Sequence, residues 1–155
     1  MAQKRQDLPG IVAPPPILYA VPLTLGLVLQ HYRPERLMPP GISHLLGWVF
    51  AALSLLGFVA LVSFRRARTS PNPWRPTTTL VVGGPYQVTR NPMYVGFTLM
   101  YLATACVVNT LWPVLALPVV LVVMQRGVIL REEEYLERRF GAEYLAYKAR
   151  VRRWL

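Results

Sequence analysis

The chain has 155 residues, of which 54% are hydrophobic and only 15% are charged. Soluble domains carry about 25% charged residues, so this composition argues against a soluble globular protein. The net charge of +10 belongs to residues that flank long apolar blocks. This placement is typical of contact with anionic lipid headgroups and excludes nucleic-acid binding as the main interpretation.

Four apolar segments follow one another along the chain. The first covers residues 14–32, and the second, residues 42–64, contains no charged residue and is long enough to cross a hydrocarbon core of about 30 Å. The third and fourth lie within residues 93–130 and are divided by turn-forming residues at Asn109 and Thr110. Because a short turn joins antiparallel neighbours, we predict that these two helices pack together as a hairpin.

The last part of the chain, residues 131–155, alternates acidic, basic and aromatic residues. Its aromatic side chains recur mainly every three or four residues, which predicts an amphipathic helical segment with a break at Gly141. We expect the aromatic positions Tyr135, Phe140, Tyr144 and Tyr147 to face the core or the membrane interface. The predicted fold is therefore an all-α polytopic membrane protein, with about four transmembrane helices and a C-terminal cytoplasmic amphipathic segment.

Basic residues predict the orientation. If both termini are cytoplasmic, all of the 17 Lys and Arg residues except Arg33 and Arg36 lie on the cytoplasmic side. Loops rich in Lys and Arg stay in the cytoplasm. We therefore predict a multi-pass protein of a bacterial inner membrane, with both termini and the loop of residues 65–91 in the cytoplasm.

The sequence lacks the usual signals of soluble enzymes. It contains no P-loop, no metal-ligand cluster, and no alternation of strands and helices that could build a Rossmann fold. Both histidines, His31 and His44, fall on the predicted outer side. Two polar segments, residues 77–96 and 131–144, instead flank the predicted hairpin at its cytoplasmic end.

Two motifs in these segments carry a specific resemblance. Arg-Asn-Pro-Met-Tyr-x-Gly occupies residues 90–96, and Glu-Glu-x-x-Leu-x-x-x-Phe-Gly-x-x-Tyr occupies residues 132–144. With the apolar span between them, they resemble the signature of the isoprenylcysteine carboxyl methyltransferase family, and related blocks occur in phosphatidylethanolamine N-methyltransferases. The resemblance covers about residues 65–154. It implies a helical membrane enzyme that binds S-adenosylmethionine in a cytoplasmic pocket closed by residues 131–155.

The resemblance divides the single domain of residues 1–155 into a two-span region, residues 1–64, and a cofactor-binding catalytic region, residues 65–155. It also implies cofactor contacts at Thr78, Thr79, Leu80, Val81, Tyr86, Arg90, Asn91, Pro92, Met93 and Glu132. The sequence departs from the eukaryotic members, which have histidine at the positions of Thr78 and Asn91. It also has Val128 where the family has a substrate-contacting arginine, so Arg126 and Arg131 are the nearest candidates for that role.

The chemistry of S-adenosylmethionine suits these residue types. Arg90 can pair with its carboxylate, and Glu132 or Glu133 with a cationic group. Tyr86 and Tyr94 can flank the adenine. Methyl transfer is an in-line displacement that mainly requires alignment, so no strong base is needed. The candidate catalytic residues are Arg126, Arg131 and Glu133.

The predicted activity is methylation of a lipophilic or amphiphilic acceptor, with a carboxylate slightly favoured over an amine because it is already ionised at neutral pH. The alternatives are a phospholipid N-methyltransferase, a non-catalytic membrane interaction protein, and an NADPH-using enzyme similar to sterol reductases. The glutamates after the fourth span argue against the last. The expected partners are the lipophilic substrate and membrane lipids. The acceptor and the oligomeric state stay open.

Overall fold

A computed structural model describes residues 8–67, 69 and 77–155. The described residues form helices joined by short loops, and their one β-type pairing is an isolated parallel bridge between Thr89 and Arg152. The helices are α1 (Pro15–Tyr32), α2 (Pro40–Arg66), α3 (Pro92–Val108), α4 (Trp112–Met124), α5 (Leu130–Phe140) and α6 (Ala142–Arg150). A 3₁₀-helix spans Gly84–Gln87, and a π-helix, Gln125–Ile129, joins α4 to α5 without a break. Lys4, Arg5, Arg68 and Arg75, which contribute to the predicted orientation, lie outside the described residues.

Local sequence explains where several helices begin and end. Pro15, Pro40 and Pro92 stand at the first turns of α1, α2 and α3, where a missing amide hydrogen costs no helical hydrogen bond. Gly141 separates α5 from α6 with a φ of 51°, a left-handed value that favours glycine. The predicted break at Gly141 is therefore confirmed.

Two stretches are long and apolar enough to cross a membrane, namely α2 and the continuous helical run Trp112–Phe140. Helix α3 is also apolar but has only 17 residues, about 26 Å at the usual helical rise. Large apolar side chains of α2 point outward, and Leu45, Trp48 and Phe58 are each more than 60% exposed. Such a surface suits contact with lipid tails. The all-helical prediction is confirmed, with two candidate spans, and four spans remain a prediction.

The turn predicted at Asn109 and Thr110 is confirmed, because α3 ends at Val108 and α4 begins at Trp112. Asn109 adopts a left-handed conformation with a φ of 54°. Its side-chain oxygen accepts hydrogen bonds from the amides of Leu37 and Met38, both at 3.1 Å. The turn is thereby tied to the α1–α2 loop.

The packing of the hairpin differs from the prediction. Helix α3 packs mainly against α2, and α4 mainly against α1, while α3 and α4 make few contacts with each other. The reason is steric: a Cβ atom at Gly96 of α3 would lie 2.6 Å from the Gly57 Cα of α2, so only paired glycines permit this approach. Gly26 of α1 receives the ring of Pro113 of α4 in the same way. The two hairpin helices are thus in contact as predicted, but each has a different helix as its main packing partner.

Helix α1 contributes to the core between α3 and α4. The buried Tyr19 ring lies 5.8 Å from Phe97 and 6.2 Å from Tyr101, measured between ring centroids. Its hydroxyl lies 2.9 Å from the Thr98 hydroxyl. Leu117, Val120, Met124 and Val128 complete this cluster. A second buried cluster, formed by Ala60, Tyr86, Tyr144 and Tyr147, lies beside the candidate site.

Candidate functional site

A cavity of about 130 Å³ lies where the start of α3 meets α5 and α6, and we call it the first cavity. Its walls come from four parts of the chain that are distant in sequence. The lining residues are Pro9, Phe64, Thr77, Leu80, Val81, Tyr86, Arg90, Asn91, Met93, Tyr94, Glu132, Glu133, Tyr135, Leu136, Tyr144 and Tyr147. The two sequence motifs therefore meet at one place, although the helices that carry them are not packing partners.

Glu133 occupies the centre of an ion network in the wall of this cavity. Its carboxylate accepts two hydrogen bonds from the Arg153 guanidinium, from Nε to Oε1 and from Nη2 to Oε2, both at 2.8 Å. Arg90 Nη2 lies 3.3 Å from the same Oε1. The side chains of Glu133 and Arg90 are only 7% and 9% exposed. Because two cations already hold this carboxylate, its geometry favours a positioning role over the catalytic role considered from the sequence.

Arg90 has further hydrogen-bonding capacity. Its Nε and Nη1 atoms are buried and have no hydrogen-bond partner among the described residues. Buried guanidinium donors are costly to leave unpaired, so these atoms need a hydrogen-bond acceptor from water or from a ligand. The residue lines the cavity, and an anionic group bound there would satisfy both atoms.

Glu132, the neighbour of Glu133, has a different environment. The Tyr94 hydroxyl donates to its carboxylate, at 2.8 Å from Oε1 and 2.9 Å from Oε2. No cationic side chain pairs with Glu132 among the described residues. Its carboxyl group is therefore available to a cationic group in the cavity.

Three tyrosines of the cavity wall, Tyr86, Tyr144 and Tyr147, stay protonated at neutral pH. Burial raises the pKa of Tyr144 to about 12, and nearby Glu133 acts in the same direction. Burial also raises the pKa values of Tyr86 and Tyr147, and the Tyr147 hydroxyl donates to the Tyr86 carbonyl at 2.7 Å. Tyr135, Tyr144 and Tyr147 are buried and Phe140 is half-buried, as their spacing in the sequence predicts. Tyr86, Tyr144 and Tyr147 therefore serve as hydrogen-bond donors and not as bases.

The remaining predicted cofactor residues divide into two groups. Leu80, Val81 and Met93 line the cavity, whereas Thr78 and Thr79 are exposed and do not. The Thr78 amide donates to Thr69 Oγ1 at 3.2 Å, within the loop itself. Pro92 is buried at the start of α3 without lining the cavity.

Asn91 and the candidate arginines also differ in whether they line the first cavity. Asn91 lines the cavity, and its side-chain amide donates to the Arg153 carbonyl at 2.9 Å. Arg126 and Arg131 are exposed and do not line the first cavity. Arg131 donates from Nη1 to the Gly10 carbonyl at 2.7 Å and thus holds the segment before α1. Val128, at the position of the family's substrate-contacting arginine, is fully buried in the core.

Arg126 lines a second cavity of about 790 Å³, on the side of the bundle between α3 and α4. Its other lining residues are Val95, Thr98, Leu99, Leu121, Val122, Gln125, Trp154 and Leu155. This second cavity lies in the space between α3 and α4, which make few contacts with each other. Gln125 and Arg126 belong to the π-helix, a distortion that occurs frequently at functional sites.

Sequence reasoning missed the contribution of the last five residues. Arg153 pairs with Glu133, and the Trp154 indole donates to Gln125 Oε1 at 3.0 Å. The only sequence signal was a basic and aromatic ending, Arg-Arg-Trp at residues 152–154, after an amphipathic helix. That pattern also suits a surface helix end, so it could not reveal the pairing with Glu133.

Comparison with known proteins confirms the family resemblance seen in the sequence. The family model described as phospholipid methyltransferase matches residues 42–143, which include the first motif and all but the last residue of the second. An uncharacterized protein of Haemophilus influenzae is 40% identical over 63 residues, which cover 41% of this chain and the whole of the relative. No solved structure matches the chain significantly.

Proposed function

Because the chain belongs to the phospholipid methyltransferase family, we propose that it transfers a methyl group from S-adenosylmethionine to a lipophilic or amphiphilic acceptor and releases S-adenosylhomocysteine. The observation that carries the cofactor proposal is Arg90. It is a buried arginine that lines the first cavity, and two of its nitrogen atoms have no partner among the described residues. The proposed setting is a membrane, with the first cavity at its cytoplasmic face.

Side chains of the first cavity are complementary to the carboxylate of the cofactor and to one of its cationic groups. When bound, the cofactor supplies an electrophilic methyl group on a positively charged sulfur. Arg90 would hold the cofactor carboxylate through the nitrogen atoms that have no partner, while Glu133 and Arg153 fix its orientation. Glu132, held by Tyr94, would face a cationic group, and Tyr86 would contribute an aromatic surface.

We expect purified protein to bind S-adenosylhomocysteine, and Arg90→Ala and Glu132→Ala each to weaken that binding about tenfold to a hundredfold. Each change removes one charge-assisted contact, which contributes about 1.5–3 kcal/mol. Isothermal titration calorimetry in detergent measures the effect. The matched controls are Arg150→Ala and Glu134→Ala, because both side chains are exposed and neither lines the cavity.

A thermal unfolding curve of each variant separates weaker binding from loss of fold. Wild-type affinity in both Arg90→Ala and Glu132→Ala would place the cofactor elsewhere. No binding by the wild-type protein would instead favour the non-catalytic membrane interaction protein.

For the acceptor, we propose a carboxylate first. A carboxylate is already ionised at neutral pH, whereas an amine with a pKa near 10 must first lose a proton. Tyr86, Tyr144 and Tyr147 do not supply a base, because their pKa values are raised. The alternative, phospholipid N-methylation, is favoured by the family description and would leave Glu132 as the carboxylate nearest to receive a proton.

We expect label from methyl-labelled S-adenosylmethionine to appear in a prenylated cysteine analogue when this analogue, phosphatidylethanolamine and a hydrophobic thiol are offered side by side. Thin-layer separation of the labelled products measures the distribution. Label confined to the phospholipid would reject the carboxylate and establish the N-methyltransferase. In that case Glu132→Gln should slow amine methylation strongly, because it removes the proposed proton acceptor.

A further inference from the structure

The last five residues, 151–155, form a short segment that we call the C-terminal segment. It is fixed along the loop before α3. The Arg90 amide donates to the Arg152 carbonyl at 2.8 Å, and Thr89 Oγ1 donates to the Arg153 carbonyl at 3.1 Å. Asn91 donates to the same carbonyl at 2.9 Å. The segment is therefore held at the start of α3 by main-chain atoms, which leaves its side chains free for other contacts.

Neighbouring side chains of this segment reach different cavities. Arg153 holds Glu133 with two hydrogen bonds of 2.8 Å, and Glu133 in turn contacts Arg90 in the wall of the first cavity. The next residue, Trp154, lines the second cavity together with Leu155. Because a peptide bond joins Arg153 to Trp154, a displacement of the backbone at one of these residues also moves the side chain of the other.

The second cavity suits the apolar chain of an amphiphile. Most of its lining is aliphatic, from Val95 and Leu99 of α3 and from Leu121 and Val122 of α4. Its volume of about 790 Å³ lies within the usual range of about 300–1,000 Å³ for ligand pockets. Among the described residues that line it, Arg126 is the charged one, and it is complementary to an anionic headgroup.

We propose that the second cavity binds the chain of an anionic amphiphile, and that the C-terminal segment makes this binding cooperative with cofactor binding in the first cavity. The cooperativity rests on the proposed function of the first cavity. A ligand that contacts Trp154 in the second cavity and a ligand that contacts Arg90 in the first cavity both bear on the position of this segment, so the affinity at one cavity depends on occupancy of the other. By thermodynamic linkage, each ligand must change the affinity of the other by the same factor.

The test follows Trp154 fluorescence in full-length protein reconstituted in lipid nanodiscs, with dibromostearate as the probe. Bromine quenches an indole only at close range, and the part of the signal lost in Trp154→Phe reports the second cavity. We expect saturable quenching, and we expect saturating S-adenosylhomocysteine to lower the half-saturating probe concentration about fivefold or more. Arg126→Gln should weaken binding of dibromostearate but not of the neutral dibromostearyl alcohol.

At S-adenosylhomocysteine concentrations that calorimetry shows to saturate each variant, Arg153→Gln should retain the quenching and lose its dependence on S-adenosylhomocysteine, and Arg153→Lys should restore part of that dependence. Arg150→Gln is the matched control, because its exposed side chain bonds only the Ala146 carbonyl of its own helix. If Arg153→Gln does not fold, calorimetry of the wild-type protein provides the test. Dibromostearate must then strengthen S-adenosylhomocysteine binding by the same factor.

Three outcomes would overturn the proposal, and each is distinct. Absence of Trp154-dependent quenching would remove the chain site. If calorimetry shows that S-adenosylhomocysteine binds but the quenching does not change with it, the cooperativity is rejected and the proposed function stands. Absence of S-adenosylhomocysteine binding would reject the proposed function and the cooperativity together.

Discussion

Glu133→Gln is expected to destabilise the protein by about 3–5 kcal/mol and to abolish measurable binding of S-adenosylhomocysteine. The change removes the negative charge that faces two arginines, and it leaves the Arg90 guanidinium buried without a counter-charge. Removing one partner of a buried ion pair costs about this much, because the other charge stays desolvated. The measurement is the free energy of unfolding in detergent, followed by calorimetry on the folded protein.

The matched control is Glu134→Gln, which neutralises the next residue on the exposed side of α5 and should change the unfolding free energy by less than about 0.5 kcal/mol. Combining Glu133→Gln with Arg90→Gln should recover part of the stability, because the buried charge is then removed as well. Equal stability of the Glu133 and Glu134 variants would mean that the ion network is not buried.

Gly96→Ala is expected to lower the unfolding free energy by about 1–3 kcal/mol, and Gly96→Leu by more. The new Cβ would lie 2.6 Å from the Gly57 Cα and 2.8 Å from its amide nitrogen, which are backbone atoms that cannot rotate away. Overpacking of this kind exceeds the gain of about 1 kcal/mol in helix propensity. Since α3 carries Tyr94, a displaced α3 should also weaken S-adenosylhomocysteine binding.

Gly41→Ala is the control for this experiment. Gly41 lies in the first turns of α2, as Gly96 lies in the first turns of α3, but a Cβ atom at Gly41 meets nothing within 4 Å. The unfolding free energy of the Gly41→Ala variant should be unchanged or slightly higher. If Gly96→Ala behaved like Gly41→Ala in unfolding and binding, α2 and α3 would not be in close contact in the membrane.

Much of the secondary structure could be predicted from the sequence because it depends on local properties. The uncharged residues 42–64 predicted the helix that became the central part of α2, and Asn109 and Gly141 predicted interruptions. The spacing of Tyr135, Tyr144 and Tyr147 predicted their burial. Each of these signals arises within one helix or one turn, where apolar periodicity and backbone freedom act over a few residues.

The candidate site could be predicted in part. Both motifs contribute to one cavity, as their resemblance implied, and Arg90, Tyr94 and Glu132 line it. The different environments of Glu132 and Glu133 could not be foreseen. Successive residues of an α-helix point about 100° apart, so one carboxylate meets Tyr94 and the other meets two arginines.

The sequence by itself determined the helical composition, the apolar spans and the residue types gathered near the start of α3. Only the tertiary structure decided which helices are partners and what completes the site. Glycine contacts pair α2 with α3 and α1 with α4, which leaves the second cavity between α3 and α4. Arg153 reaches Glu133 from 20 residues away. Such contacts depend on the shapes of surfaces that meet only after folding, and local sequence patterns do not encode them.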